Sequence, residues 1–153
     1  MPGAALAVAV TAVAWCALAV LAPVLPSPLA AAVYAAAGFI CHQIPDRSFH
    51  WHGAQLAVCA RCTGIYVGAC SAAVFAPLPP SAYASWVGSR ARVGWLLGAA
   101  AVPTIATVAV EWAGLWHPSA IVRAATGVVL GVAGAFVLIA ALKGQPGDTV
   151  KIR

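Results

Sequence analysis

The first constraint on this chain is a run of 22 residues without a single charged side chain, from Ala4 to Leu25. A helix needs about 20 apolar residues to cross the hydrocarbon core of a bilayer. Only 7% of all residues are charged and 63% are hydrophobic, whereas a soluble domain carries roughly 25% charged residues. So few charges cannot cover the surface of a water-soluble protein of 153 residues. The composition therefore predicts an integral membrane protein whose partner is the lipid bilayer.

Five apolar stretches are predicted to form membrane-embedded helices, of which the second is short: Ala4–Leu25, Leu29–Cys41, Cys59–Leu78, Val93–Val110 and Ala120–Leu142. The second can extend only to Ile44, because Pro45 disfavours helix in the residue before it. Pro103 predicts a kink in the fourth. Lipid offers no partner for open backbone groups, and the runs do not alternate as barrel strands do. The predicted fold class is an all-α membrane bundle, a single domain over residues 1–153 with a polar tail from 143 to 153.

The distribution of basic residues predicts an orientation. With five crossings, the amino terminus and the loops Gln43–Val58 and Glu111–Ser119 lie at one face. That face carries three basic residues, Arg47, Arg61 and Arg123, and the opposite face carries five: Arg90, Arg92, Lys143, Lys151 and Arg153. The positive-inside rule then places the second face in the cytoplasm and the first face outside it. We expect a multi-pass protein of a bacterial cell membrane.

Charge also argues against two other assignments. Met1–Val10 contains no Lys or Arg, so the positive region of a signal peptide is missing and the first apolar stretch is predicted to be a retained helix. The net charge is +5, but the basic residues are scattered singly. Nucleic-acid binding needs clustered Lys and Arg that follow the phosphates, so no nucleic-acid partner is expected.

The reactive side chains are concentrated between Phe39 and Gly68. This segment holds three of the five cysteines and three of the four histidines. Within it, alternating apolar residues around His52 and Gly53 predict a small hairpin. Because this segment and the Glu111–Ser119 loop are expected at the same membrane face, two distant parts of the chain deliver polar residues to one place. This convergence indicates a functional site.

Three cysteines and a histidine form a candidate metal site. Cys59 and Cys62 make a C-x-x-C pair, which is the usual chelating spacing, and Cys41 approaches from the preceding helix end. With His42 they form a Cys₃His set suited to tetrahedral zinc. Two further histidines are alternative fourth ligands: His50 and His52. The predicted cofactor is therefore a metal ion, zinc or a softer thiophilic metal.

The same cysteine pair permits redox chemistry. Exposed N–H groups at a helix start and the adjacent Arg61 favour a thiolate at this pair. Cys59 and Cys62 would then exchange disulfides, with Cys41 as a relay thiol. Disulfides are permitted at an extracytoplasmic face. A membrane thiol–disulfide oxidoreductase is the alternative function, and an accessory membrane subunit without chemistry is the third.

Arginines and acids at the same face are predicted to form a polar pocket above the metal. Three arginines and the two acids of this face would form the pocket, and two of the arginines, Arg61 and Arg123, would face the acids as ion pairs or as an anion clamp. The acids are Asp46 and Glu111. The candidate catalytic residues are Arg47, Arg61, Glu111 and Arg123. A carboxylate at membrane depth is costly and indicates function, whereas at the interface its cost is small.

Two of these arginines open similar sequences. Arg61 begins R-x-T-G-x-x-x-G, which ends at Gly68, and Arg123 begins R-x-x-T-G-x-x-x-G, which ends at Gly131. Each opens a predicted span at the same face. A pair of glycines four residues apart is the spacing that lets membrane helices approach closely, so the repeated pattern predicts close helix packing.

The segments CHQIPDRSF (Cys41–Phe49) and VCARCTGIYVG (Val58–Gly68) resemble a family of small prokaryotic integral membrane proteins catalogued as a domain of unknown function. The family pattern runs C-H-Q-x-P-x-R-S-F, then a glycine, then V-C-x-R-C-T-G-I-Y. The resemblance implies a membrane protein of this size and supplies no reaction. Relatives often carry an Asp-Gly pair before the last span, where this chain has Glu111 and Trp112. A role that needs a carboxylate at one fixed depth is therefore not implied.

Overall fold

The computed structural model of the protein describes residues 2–72 and 89–143. Its elements in chain order are α1 (Pro2–Leu21), α2 (Ser27–Gly38), β1 (Ser48–Trp51), β2 (Ala54–Cys59), α3 (Ala60–Ala72), α4 (Arg90–Trp112) and α5 (Ala120–Lys143). Single turns of 3₁₀ helix occupy Ala22–Val24 and Pro45–Arg47. The fold is mostly helical, as predicted, and the two strands correct the purely α-helical class.

The two strands form an antiparallel hairpin at the predicted turn. Trp51 pairs with Ala54, and the pairing reaches back to Ser48 opposite Cys59. The two turn residues, His52 and Gly53, have φ angles of 50° and 82°. Positive φ at both central residues is typical of the two-residue turn that matches the twist of a hairpin. The second strand ends at Cys59 and α3 begins at the next residue, so the hairpin leads directly into this helix.

Two of the described helices are long and apolar enough to cross a membrane: Ala91–Trp112 in α4 and Ala120–Leu142 in α5. They coincide with the fourth and fifth predicted spans, and α4 continues through Pro103. The second helix has 12 residues, which confirms that it is short. In the first predicted span, Ala9–Val24 is a shorter apolar helix.

The third helix begins at Ala60, one residue after the predicted start. The predicted end of the third span at Leu78, the loop that follows it as far as residue 88, and the tail from residue 144 lie outside the described residues.

Helices α3 and α5 touch backbone to backbone through the repeated glycine pattern. A Cβ atom at Gly64 would lie 2.0 Å from the carbonyl oxygen of Ala124, and one at Gly131 would lie 2.1 Å from that of Ile65. The other two glycines make equivalent contacts at 2.3 Å: Gly68 with Val128 and Gly127 with Arg61. Real Cβ atoms do not approach other atoms this closely, so only glycine fits these positions. The predicted close packing is confirmed, and its two sides are these helices.

These contacts also fix the direction of the two helices. The residues opposite Gly64 and Gly68 are Ala124 and Val128, so the contacts advance together along both chains. The helices are therefore parallel, and their amino-terminal ends lie side by side. Arg61 and Arg123, which stand in the first turns of α3 and α5, are brought to the same end of the bundle.

The amino-terminal helices pack on the hairpin. Ala19 of α1, Ala37 of α2 and Val58 of β2 belong to one buried cluster. The hydroxyl of Tyr34 in α2 donates a hydrogen bond to the carbonyl oxygen of Gln55 in β2. The end of α2 is thereby held over the end of β2, where α3 begins.

Candidate metal centre and arginine cluster

Three cysteine sulfurs meet where α2, β2 and α3 come together. The Sγ atoms of Cys41, Cys59 and Cys62 all lie within 4.8 Å of one another. Sulfurs bound to one tetrahedral zinc at about 2.3 Å lie about 3.8 Å apart, so closing the group around an ion needs movements of about an ångström. Cys41 is buried, the other two are half-buried, and all three are free thiols. The fold thus gathers the three cysteines that the sequence singled out.

Cys41 lies beyond the end of α2, whereas the second predicted helix, Leu29–Cys41, included it. The helix ends at Gly38, although the N–H of Cys41 still donates to the carbonyl oxygen of Ala37 at 2.9 Å. Gln43 then adopts a φ of 51°, in the left-handed region that side chains rarely occupy. This turn takes the chain away from the helix and directs Cys41 toward the hairpin.

The side chain of Gln43 holds this turn in place. Its Nε2 atom donates to the carbonyl oxygens of Tyr34 in α2, at 2.9 Å, and of Ala57 in β2, at 2.7 Å. In return, Nε2 of Gln55 donates to the carbonyl oxygen of Gln43 at 2.7 Å and to Oγ of Ser48 at 3.1 Å. The two amide side chains therefore join the end of α2 to the hairpin and fix the position of Cys41.

Two backbone amides are directed at the sulfur of Cys41. The N–H of Cys59 lies 3.2 Å from this Sγ atom, and the N–H of Gln43 lies 3.5 Å from it. Such donors stabilise negative charge on sulfur, and the thiolate is the form that binds metal. Hydrogen bonds of this kind around a ligand atom orient it and tune its affinity.

Cys59 ends β2 next to the first turn of α3, where N–H groups have no partner within the helix. A hydrogen bond from the Cys62 thiol is the main cause that lowers the pKa of Cys59 from 9.0 to about 5. Burial acts in the opposite direction, and the backbone N–H groups of Cys62 and Arg61 add to the lowering. The surroundings of Cys59 therefore favour its thiolate, which is the form of cysteine that binds metal.

The histidines stand apart from the sulfurs. His42 is exposed, and its ring nitrogens do not belong to the group of mutually close ligand atoms. His50 and His52 are exposed residues of the hairpin and are also outside the group. Within residues 2–72 and 89–143, the close group consists of the three sulfurs. The structure thus brings together three of the four predicted ligands.

A second group forms around Glu111, at the carboxyl end of α4. Its Oε1 atom lies 2.8 Å from Nη2 of Arg47 and 3.0 Å from Nη1 of Arg123. Its Oε2 atom lies 3.9 Å from Nη2 of Arg61. The Glu111 side chain is 4% exposed and that of Arg123 is 5% exposed, whereas Arg47 is 38% exposed. We call these four residues the arginine cluster.

Two of the arginines are further anchored but keep unused donors. Nε of Arg123 donates to the carbonyl oxygen of Pro118 at 2.8 Å, and Nη2 of Arg61 donates to Oγ1 of Thr107 at 3.5 Å. Nε of Arg61 and Nη1 of Arg123 are buried without a hydrogen-bond partner. The 3.0 Å approach of Arg123 to Glu111 is therefore an ionic contact without hydrogen-bond alignment.

The sulfur group and the arginine cluster face one cavity of about 390 Å³. Its walls include the three cysteines, His42 and the three arginines. The apolar part of the wall is formed by Ile40, Ile44, Ile65, Val108 and Trp112. A ligand in this space would lie beside both the sulfur group and the guanidinium groups.

Sequence reasoning missed two residues of the site, Gln43 and Thr107, and assigned one residue to the site, Asp46, that does not belong to it. Asp46 does not join the arginine cluster, because its side chain is exposed and forms no ion pair within the described part of the chain. Gln43 was not singled out, although its place in the C-H-Q triplet was an available signal. Thr107 lies in the middle of an apolar span, and nothing in the sequence marked it.

Comparisons with known proteins show that this chain is similar to predicted membrane proteins. A family model described as "Predicted membrane protein (DUF2085)" matches residues 41–137. An uncharacterized protein of Methanothermobacter thermautotrophicus is 33% identical over 105 residues, which cover 69% of this chain and 88% of that protein. Uncharacterized protein MJ1492 of Methanocaldococcus jannaschii is 58% identical over 36 residues, 24% of this chain and 23% of its own length. No solved structure matches significantly. The family match begins at Cys41 and spans both groups of side chains.

Proposed function

Since this chain belongs to the DUF2085 family of predicted membrane proteins, we propose that it is a membrane protein built around a thiolate-bound metal ion. Cys41, Cys59 and Cys62 hold the ion, and zinc is the metal that best suits three sulfurs in a tetrahedral set. The observation that carries this proposal is the mutual approach of the three sulfurs within 4.8 Å.

Two features support ligation over mere packing of thiols. The amides of Gln43 and Cys59 donate to the sulfur of Cys41, and a hydrogen bond from the Cys62 thiol, with a smaller contribution from N–H groups at the start of α3, lowers the pKa of Cys59. A packing cysteine behaves as a small apolar residue and needs no such donors. Negative charge is therefore provided for at two of the three sulfurs.

With three sulfurs as its ligands, a metal ion would have a fourth coordination position left for a ligand from the cavity that the cysteines line. Zinc sites that act on substrates keep three protein ligands and leave one position for water or substrate, whereas structural sites are closed by four. His42 is exposed and outside the sulfur group, so we expect His42→Ala to retain the metal. A stoichiometric loss of metal in this variant would instead assign the fourth ligand to His42, as the sequence alone suggested.

Replacement of the cysteines one at a time tests the site. Cys41→Ser, Cys59→Ser and Cys62→Ser are each expected to abolish the metal, which the unaltered protein should carry at about one equivalent per chain. Cys16→Ser and Cys70→Ser are matched controls, because these cysteines lie outside the sulfur group, and both variants should keep the metal. The measurement is elemental analysis of detergent-purified protein.

Thiol counting on the same samples tests the redox alternative. Sulfurs that ligate zinc resist alkylation, whereas a redox dithiol holds no metal and alternates between free and blocked states. Protein without metal, with a Cys59–Cys62 disulfide that reductant opens, would overturn the metal site and favour the oxidoreductase. The two states exclude each other, because sulfurs joined in a disulfide are not thiolates.

Gln43→Leu is expected to lower metal affinity by about 10- to 100-fold, the usual effect of losing a group that orients a ligand. The leucine keeps the bulk of the side chain but loses the bonds to Tyr34 and Ala57, so the Cys41 turn is no longer fixed. Competition with a chelator of known affinity measures the change. His50→Leu, at an exposed hairpin position, is the control and should leave the affinity unaltered.

We also propose that the protein crosses the membrane several times, with the sulfur group at the extracytoplasmic face. The excess of Lys and Arg on the opposite face supports this orientation. Two reporters are fused after Arg153, one that is active only in the cytoplasm and one that is active only after export. We expect the first to be active and the second to be inactive. The reverse result would mean that the orientation is inverted.

A further inference from the structure

We propose that the arginine cluster and its cavity form a binding site for a phosphate group that carries two negative charges. This goes beyond the metal site, and it holds whether or not the sulfurs carry an ion. The ligand is either inorganic phosphate or the head of a lipid phosphate monoester, which share this chemistry. The residues that would contact it are Arg47, Arg61 and Arg123.

The charge of the cluster identifies the class of ligand. Three guanidinium groups surround one carboxylate, that of Glu111, so these four side chains carry an excess of two positive charges. Asp46 stands exposed and does not neutralise them within the described residues. A phosphate monoester carries about −1.5 to −2 at neutral pH, which matches this excess. A carboxylate would neutralise only one charge.

The hydrogen-bonding state of the cluster gives a second, independent observation. Nη1 of Arg123 and Nε of Arg61 are buried and lack hydrogen-bond partners in the described structure. The Arg123 side chain is only 5% exposed, and buried polar groups without a partner are rare because they are costly. Both residues line the cavity. An oxyanion there supplies the missing acceptors, and the planar guanidinium suits phosphate oxygens.

The shape of the site accommodates a headgroup together with its apolar attachment. The cavity holds about 390 Å³, and beside the arginines its wall includes Ile65, Val108 and Trp112. Trp112 is 81% exposed at the end of α4, a helix long and apolar enough to cross a membrane. Tryptophan at such a position marks the membrane–water interface, where lipid phosphates lie. A lipid can thus reach the site from the bilayer, and free phosphate can reach it from water.

The experiment has two arms, both with full-length protein as purified, in neutral phosphatidylcholine nanodiscs. In the first, inorganic phosphate is titrated at pH 8 and constant ionic strength, and binding is read as a rise in unfolding temperature. In the second, native mass spectrometry compares retention of phosphatidic acid, a monoester, with phosphatidylglycerol, a diester of single charge. Saturable binding in the first arm identifies free phosphate as a ligand. Preference for phosphatidic acid in the second identifies a lipid headgroup.

Arg47→Gln is the test variant, because Arg47 is the most exposed of the three arginines and its loss leaves the buried pair of Arg123 and Glu111. A charge-assisted hydrogen bond contributes enough that its loss should weaken binding about tenfold or more. Arg92→Gln is the matched control. It removes the same charge from the other end of α4, roughly 28 Å from Glu111 at 1.5 Å per residue.

Selective weakening in Arg47→Gln supports the site. Equal weakening in Arg92→Gln would show attraction by overall charge and would overturn it, as would the absence of binding in both arms. The metal content of Arg47→Gln is measured in parallel and should stay at about one equivalent per chain. Failure of the phosphate site is thus separate from failure of the metal site.

Discussion

Glu111→Gln is expected to destabilise the protein by about 3–5 kcal/mol, the usual cost of removing one partner from a buried ion pair. The amide keeps the shape of the side chain but leaves three guanidinium groups with no counter-charge. The largest part of this cost comes from Arg123, because its side chain is only 5% exposed and water cannot replace the lost carboxylate as its partner. Equilibrium unfolding in mixed detergent micelles measures the change.

The matched control is Asp46→Asn, which removes the other acid of the described chain. Asp46 is exposed, and surface substitutions of this kind change stability by only about 0.5 kcal/mol or less. If the two variants have the same free energy of unfolding, the contacts of Glu111 with the three arginines do not stabilise the protein.

Gly131→Ala is expected to destabilise the protein by about 1–3 kcal/mol or more, as overpacking does in a close-packed interior. The added methyl group would lie 2.1 Å from the carbonyl oxygen of Ile65. Since that atom belongs to the backbone of α3, the helices must separate. Separation also moves Arg61 away from Arg123, so the arginine cluster should loosen. Unfolding in mixed micelles measures the stability.

Gly134→Ala, one turn further along α5, is the control. A Cβ atom there meets no atom within 4 Å, and replacing a helical glycine by alanine normally gains about 0.5–1 kcal/mol. The two substitutions are chemically identical and should have effects of opposite sign. Equal effects would mean that α3 and α5 are not in backbone contact at Gly131.

The features that were predictable from the sequence are those that depend on a short run or spacing of residues. Apolar length gave the two long spans, and the glycine spacing after Arg61 and Arg123 predicted close packing. Parallel helices then follow, because both patterns open at the same face. The C-x-x-C pair and Cys41 were recognisable because metal ligands and redox thiols are few and chemically distinct.

The remaining features depend on backbone geometry that no periodicity reveals. The second helix ends at Gly38, and a turn follows at Gln43 with a φ of 51°, so Cys41 and the exposed His42 lie between the helix and this turn. Residue type alone cannot distinguish Glu111 from Asp46 as the acid that pairs with arginine. Glu111 pairs with arginine because it lies at the end of α4, where its carboxylate is close to both Arg47 and Arg123.

X-ray absorption spectroscopy at the absorption edge of the metal tests the central claim most directly, because it reports the number and type of atoms bound to the ion. For zinc, we predict three sulfur neighbours at about 2.3 Å and one lighter neighbour at about 2.0–2.2 Å. In Cys59→Ser this pattern should disappear, while in Cys70→Ser it should be unchanged. A metal without sulfur neighbours, or purified protein without metal, would contradict the account.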